Sequence, residues 1–438
     1  MTAPERIVEV AITLALASPA VLLLMLGIGS LPRRPLAERH VALMTSAAVI
    51  TMVASLGVAL ATYVFAALSP QTWTAREWFS TTGGALQLDL LVDGWGLTFA
   101  FVAAVICGTV SAFSYRYLHR ERGFVRYFIL YACFVLGVQL VALAGSIEVL
   151  FAGWELLGLS SSMLIAFFHE RREPVANAMR VYSIYRVSDA SMLIAAVLIH
   201  HVVGSGSLST LFRVGTVGAV EAQGSMQVVA IAFFFLLAAA GKSGLVPFSG
   251  WLPRAMEGPT PSSAVYYGAL SVHAGCYLLW RAGPLIRSSV IAMALVIAAG
   301  VATTVFAALA ARVQTNVKSA LSYATLTQVG VIVIEIALGL RTLAFIHLLG
   351  NACIRLVQFL TAPNVLLDLH GLEGTAAARG TRRPRLYAFA LHEGGLDVML
   401  DTLVVRPFLA LARAGQRLDE RLAGERPNDR PVGRETRP

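Results

Sequence analysis

The sequence predicts an all-α polytopic membrane protein of about eleven transmembrane helices, one of them broken by prolines near 241–261, followed by an amphipathic C-terminal helix. Three observations carry this. Hydrophobic residues make up 57% of the 438 residues and charged ones only 13%, about half the charged share of a soluble domain. The mean hydropathy is +0.71. Apolar runs of membrane-spanning length, about 20 residues, recur along most of the chain.

By that length criterion, spans are expected near 8–30, 41–68, 93–114, 126–144, 147–168, 176–201, 226–245, 262–281, 288–311, 318–340 and 342–362. The first apolar run follows Glu5, Arg6 and Glu9 with no small-residue cleavage site, so a retained first helix is expected rather than a removed leader. Cys107, Cys133, Cys276 and Cys353 each lie inside an apolar run and form no CxxC or Cys/His cluster. They read as small core residues, with neither a disulfide framework nor a metal site.

Arginine placement sets the expected topology, because short cytoplasmic loops collect positive charge. The loops after the first, third and fifth spans read LPRRPLAERH, SYRYLHRERGFVR and FHERREP. Those after the second, fourth and sixth are poor in arginine: Arg76 faces Glu77, Asp89 and Asp93, the next is little more than GSIE, and Arg213 faces Glu221. This puts the N-terminus outside and the C-terminus, with its RGTRRPR, in the cytoplasm. The formal charge of +9 is therefore a topology signal. Nucleic acid is excluded as a partner, since the basic residues sit in short runs between spans and not on one solvated face.

Residues 241–263, GKSGLVPFSGWLPRAMEGPTPSS, hold four prolines within fifteen residues. Proline removes a backbone donor and clashes with the preceding turn, so one smooth helix cannot form here. The segment is either an ordinary loop or a discontinuous helix beside an ion path, where buried protein or water satisfies the broken backbone.

These features divide the chain into N-terminal spans with an outside loop (1–91), a core (92–362), a polar linker (363–388), an amphipathic helix (389–423) and a disordered tail (424–438). In 389–423, Asp397, Asp401 and Arg406 favour a helix lying on the membrane surface over a last span. The chain has no phosphate loop, GxSxG, HExxH, haem or iron–sulfur spacing. No cofactor or metal is expected, and redox or nucleotide chemistry falls to another chain.

Ionisable residues within spans are the candidate functional groups, because each costs roughly 2.5–3.5 kcal/mol on insertion scales. Glu155 lies within FAGWELLGLSSS, and Lys242 ends the run IAFFFLLAAAGKSG. Snorkelling is the plain alternative for Lys242. Arg186 and Asp189, three residues apart, share a helix face as an internal ion pair would. Lys318 opens a span beside an inside loop, where topology alone would also place it. His347, Asn351 and Arg355, four residues apart in turn, drift by only about 40° per step and form one polar stripe. His273 and Glu335 read as local hydrogen-bonding groups. Of 34 basic side chains 32 are arginine, and the two lysines are Lys242 and Lys318. Lysine is the one of the two types that readily releases a proton when buried.

The motifs GWELLGLSSSMLI, RVSD, GKSGLVPFSGWLPRAMEGPTPSSA and VQTNVKSALSYATLTQVG, following VDGWGLTFAFV, resemble those of a known family. They are similar, in order and spacing, to the antiporter-like proton-translocating subunits of complex I, the L-type subunit most closely, and to the Mrp sodium/proton antiporters. LDVMLDTLVVRPFLALAR resembles the end of the L-type subunit. The resemblance covers residue 92 to about residue 362. It implies that Glu155 pairs with Lys242 on the broken helix, that Asp189 modulates the pair, that Lys318 is the next lysine and that His347 continues the relay. The chain departs from the pattern at Tyr267 and Asn351, where the family has histidines, and at Arg355, where it has a lysine. The spans expected to follow, with a further lysine and an exit route, give way to the terminal helix, so the resemblance implies the uptake half of a channel.

The resemblance therefore implies a proton-conducting subunit of a multi-subunit, complex I-like assembly in the bacterial inner membrane. Its partners would be other membrane subunits, a soluble protein at the cytoplasmic surface, and protons or Na⁺. Two alternatives stand beside it: the membrane subunit of a Dab-type bicarbonate uptake system, and a non-conducting membrane anchor.

Overall fold

The computed structural model of the protein describes residues 2–31, 36–81, 84–211, 225–362, 384–391 and 393–422. Among them, ten helices are long and apolar enough to cross a membrane. They are α1 (Ala3–Gly29), α2 (Glu38–Phe65), α3 (Gly94–Tyr117), α4 (Phe124–Leu143), α5 (Ile147–Ile165), α6 (Arg172–Val203), α7 (Ser225–Ser243), α9 (Val290–Ala311), α10 (Val317–Ala337) and α11 (Arg341–Thr361), with α8 (Ser271–Arg281) a shorter helix between α7 and α9. The protein is thus a multi-pass, all-α membrane protein. Residues 363–383 of the expected linker, the tail and the Arg213/Glu221 loop lie outside the described residues, and the last five residues of that linker instead begin the helix Pro384–Leu391.

Polar side chains fix several helix starts. Thr2 and Glu5 form a capping box on α1. Asp93 accepts from Gly96 N (2.6 Å) at the start of α3, and Asn316 accepts from Lys318 N (2.9 Å) at the start of α10. Each cap satisfies a backbone donor that the helix cannot.

The structure corrects four expectations. The eighth expected span, near 262–281, is composite: a short helix Thr260–Ser262, a π-helical turn Ser263–Ala269, and then α8. The loop expected to lie outside holds an antiparallel hairpin, β1 (Gln71–Thr81) with β2 (Gly84–Val92). Cys353 is exposed on the outer side of α11, where lipid would lie, and is not a core residue like Cys107, Cys133 and Cys276. The terminal helix is also in pieces, with Pro384–Leu391, Leu396–Leu400 and a π turn Asp401–Val405 preceding α12 (Arg406–Leu422).

The buried core runs through α3–α8, α10 and α11, whereas α1, α2 and α9 expose Leu24, Ile50 and Val305 among other apolar side chains. In a bilayer such an apolar exterior is the lipid-facing surface. Small residues let the core helices touch. A Cβ on Gly137 of α4 would lie 2.9 Å from Gly153 O of α5, and one on Gly153 2.8 Å from Gly137 O. This close crossing, the kind small residues permit in membranes, fixes the turn of α5 that carries Trp154 and Glu155.

The bundle has two ends. The hairpin face carries β1–β2 and the ion pair of Asp93 with Arg281. The arginine face carries the turns at 118–123 and 169–171 and the terminal pieces. There Arg180 of α6 binds Asp397 (2.5 Å) and Asp401 (2.9 Å), and Arg254 also binds Asp397. Asp397 and Asp401 thus tie the terminal pieces to the bundle.

Candidate functional site

The site forms where the α7 span ends inside the protein. α7 stops at Ser243, Gly244 follows in the left-handed region (φ 67°), and helix resumes only at Trp251–Arg254. The prolines expected to break this segment do so. Lys242, in the last turn of α7, is 0% exposed, so it does not snorkel to the surface.

The amine is held by groups of α5 and α6. Nζ donates to Trp154 O (3.1 Å) and lies over the rings of Tyr185 (4.3 Å) and Trp154 (5.0 Å). Gly158, one turn after Trp154, leaves its space: a Cβ there would lie 2.7 Å from Nζ. The nearest recorded carboxylate oxygen is Asp189 Oδ1, at 4.0 Å.

Glu155 is not in direct contact with Lys242, contrary to the pairing that the resemblance implies. Arg186 stands between, its Nη2 2.9 Å from Glu155 Oε2 and 2.7 Å from Asp189 Oδ2. The Arg186–Asp189 pair expected from their spacing is present. Two acids and two bases therefore form one cluster, which is neutral when all four are ionised and carries one negative charge when Lys242 releases its proton.

A second polar axis follows the expected stripe on α11. His347 Nδ1 lies 3.0 Å from Glu335 Oε1 and its Nε2 3.0 Å from Gln328 Oε1. Asn351 bonds His273 Nε2 (2.9 Å) and accepts from Arg355 Nε (3.3 Å), and Arg355 also donates to Ala324 O (2.9 Å). Glu335 and His273 thus belong to the axis. Sequence reasoning read both as local because their partners lie on other helices. Tyr267, at a family histidine position, donates to Ser161 O (3.1 Å) beside the Lys242 pocket.

Lys318 lies apart, at the arginine face. Its Nζ donates to Thr260 Oγ1 (2.9 Å), which also lies 3.2 Å from Tyr117 OH. Ser243, Ser249, Ser263 and Ser271 have buried hydroxyls without a well-formed hydrogen bond among the described residues. Among the described residues, no group of three His, Cys, Asp or Glu side chains converges as a metal site would require.

The fold and the site together define a multi-pass helical membrane protein with a buried lysine at a broken helix and a chain of ionisable side chains. Residues 144–384, more than half of the chain, match the profile of the NADH:quinone oxidoreductase/Mrp antiporter transmembrane family, and the chain belongs to that family. Residues 78–128 match the N-terminal region of complex I chain 5.

Among relatives, the chain is 29% identical over 362 residues to NADH-quinone oxidoreductase subunit L of Escherichia coli (strain K12), covering 82% of this chain and 57% of that protein. It is 30% identical over 311 residues to subunit L of Mycobacterium tuberculosis (strain ATCC 25618 / H37Rv), covering 70% and 48%. The chain thus spans about half the length of the curated relatives it matches. Among solved structures, it resembles a chain of the Mrp complex from Dietzia sp. DQ12-45-1b, with 28% identity, a TM-score of 0.68, and coverage of 80% of this chain and 37% of that one. A chain of the archaeal membrane-bound sulfane sulfur reductase, at 20% identity and a TM-score of 0.67, shares the fold.

Proposed function

We propose that this chain is a proton-conducting membrane subunit of a multi-subunit complex, coupling proton movement through Lys242 and its neighbours to the work of a partner. The observation that carries this reading is the Lys242 amine, fully buried and 4.0 Å from its nearest recorded carboxylate oxygen. At that distance a unit charge pair is worth about 4 kcal/mol at an effective dielectric constant near 20, and about half of that at twice the distance. A displacement of about 4 Å in α6 or in the broken segment, which doubles that separation, would change the proton affinity of the amine by roughly 30-fold. Loading and release then follow from geometry alone.

In this mechanism Arg186 holds Glu155 and Asp189 and so sets how much negative charge the amine meets. The hydroxyls of Ser243, Ser263 and Ser271 order water between Lys242 and the His273–Asn351 contact. Glu335 and His347 extend the path along α10 and α11. The names of the relatives support a partner set of other membrane subunits in a complex I-like or Mrp-like assembly. Arginine placement supports a cytoplasmic arginine face, an outside N-terminus and a soluble partner at the inner surface. Protons are the proposed ion and Na⁺ the alternative.

One observation favours the non-conducting anchor: Arg355, within the axis, keeps its proton throughout the working range. Proton flux into proteoliposomes holding the protein with its copurifying partners separates the two readings. Lys242→Ala and Glu155→Gln are expected to abolish flux while the complex still assembles. Unchanged flux in both variants would leave the anchor.

A further inference from the structure

Near the hairpin face, on the seam that carries Glu155, Arg186 and Asp189, lies a second acid–base pair that the mechanism above does not use. His200 Nε2 of α6 is 3.0 Å from Glu148 Oε1 of α5. We propose that Glu148 and His200 form a proton-holding site, the port through which protons pass between the Lys242 cluster and the hairpin face. The proposal rests on the proton-conducting reading and adds where the proton enters or leaves.

Position is the first argument. Glu148 precedes Glu155 by seven residues, so it lies about 10 Å along α5 and within about 20° of the same face. His200 follows Asp189 by eleven residues, about 20° beyond three full turns, and again on the same face. The two antiparallel helices therefore repeat one acid–base arrangement at two depths. The outer pair is partly buried, with Glu148 18% and His200 32% exposed at the side chain against 30% for both Glu155 and Arg186, and both carboxylate oxygens of Glu148 are buried.

Proton bookkeeping is the second. His200 Nδ1 lies 3.0 Å from Ala196 O. A carbonyl only accepts, so Nδ1 carries a hydrogen. Nε2 then lies 3.0 Å from a carboxylate oxygen, out of line for a hydrogen bond, and a nitrogen lone pair beside a negative oxygen is repulsive. One further proton on the pair removes the repulsion, as imidazolium beside carboxylate or imidazole beside carboxylic acid. The pair takes up and gives back that single proton with no other bond changed. An arginine would make a fixed tether here, whereas an imidazole can take up and release a proton.

The local backbone holds the acid in place. Ile147 N donates to Gly206 O (2.9 Å) and Leu208 N to Gly145 O (2.9 Å), which pins residues 204–208 across the start of α5. Gly206 covers the carboxylate, and a Cβ at that position would collide with both of its oxygens. Neither oxygen makes a well-formed hydrogen bond among the described residues. The other titratable side chains on the adjoining elements are His201, next along α6 and exposed, and Asp89 of β2, buried where its backbone bonds Gly145.

The test uses the protein with its copurifying partners in proteoliposomes, comparing the parent, Glu148→Gln, His200→Gln and Lys242→Ala. The proposal expects at least a tenfold loss of flux in both port variants, at unchanged assembly. It also expects the parent flux to follow a single titration in the pH on the hairpin side, and His200→Gln to flatten that profile. Should Glu148→Gln not accumulate, His200→Gln decides alone. Parent-like flux and pH profile in the port variants, with flux lost in Lys242→Ala, would overturn the port and leave the proton-conducting reading standing. No flux in the parent would overturn both.

Discussion

The carboxylate of Glu155 is bound to the guanidinium of Arg186, 2.9 Å away, and not to the amine of Lys242. Arg186 also holds Asp189 at 2.7 Å, so the acid nearest Lys242 is shared with a permanent cation. Arg186→Gln would free both carboxylates to act on the amine. Lys242 should then keep its proton more firmly, and proton flux should fall by roughly tenfold or more, the effect of about 1.4 kcal/mol. Stability should also fall, because a half-buried ion pair is broken. Restoration of the melting temperature in Arg186→Gln/Glu155→Gln would separate that cost from the effect on flux.

Asp93 and Arg281 close the hairpin face. Both are buried, at 8% and 9% exposed, and Tyr277 OH accepts from Arg281 Nε (2.9 Å). Asp93→Asn leaves a buried guanidinium without its carboxylate, which costs about 3–5 kcal/mol where one partner of a buried pair is removed. Thermal unfolding in detergent should show a clear fall in melting temperature. Asp93→Leu combined with Arg281→Met should recover much of the loss.

Arg180 joins Asp397 and Asp401 across more than two hundred residues of chain. α12 itself has no buried residue, so the grip on the bundle depends on these pairs, on Arg254 with Asp397, on Leu400 and Val405, and on Phe408 of α12 against Tyr182. Arg180→Ala should release the terminal pieces, seen as faster amide exchange over 396–405 with α3–α6 unchanged. Equal exchange in parent and variant would show that apolar contacts suffice.

The spans were readable because a bilayer demands long apolar runs, and the break after α7 because four prolines forbid a continuous helix. Glu155, Lys242, Arg186 and Asp189 stood out as costly charges, and all four meet in one cluster. The composite span escaped notice because π turns carry no period of their own in Ser263–Ala269. The hairpin was hidden by short loop-like alternation, although the sequence TTGG at 81–84 was a signal. Glu335 does hydrogen-bond, as expected, but which residue it meets was not legible. Its partner His347 lies on the next helix, and periodicity within one helix says nothing about what its neighbour presents. The same limit hid Glu148 with His200, and Asp93 with Arg281.

The most direct test of the central claim is proton flux through Lys242→Arg in proteoliposomes with the copurifying partners. Arginine keeps the positive charge beside Asp189 but does not release a proton in the working range. The account predicts an assembled complex with flux reduced to the level of Lys242→Ala. Flux at the parent rate in Lys242→Arg would contradict it, because a fixed charge at that position would then be enough.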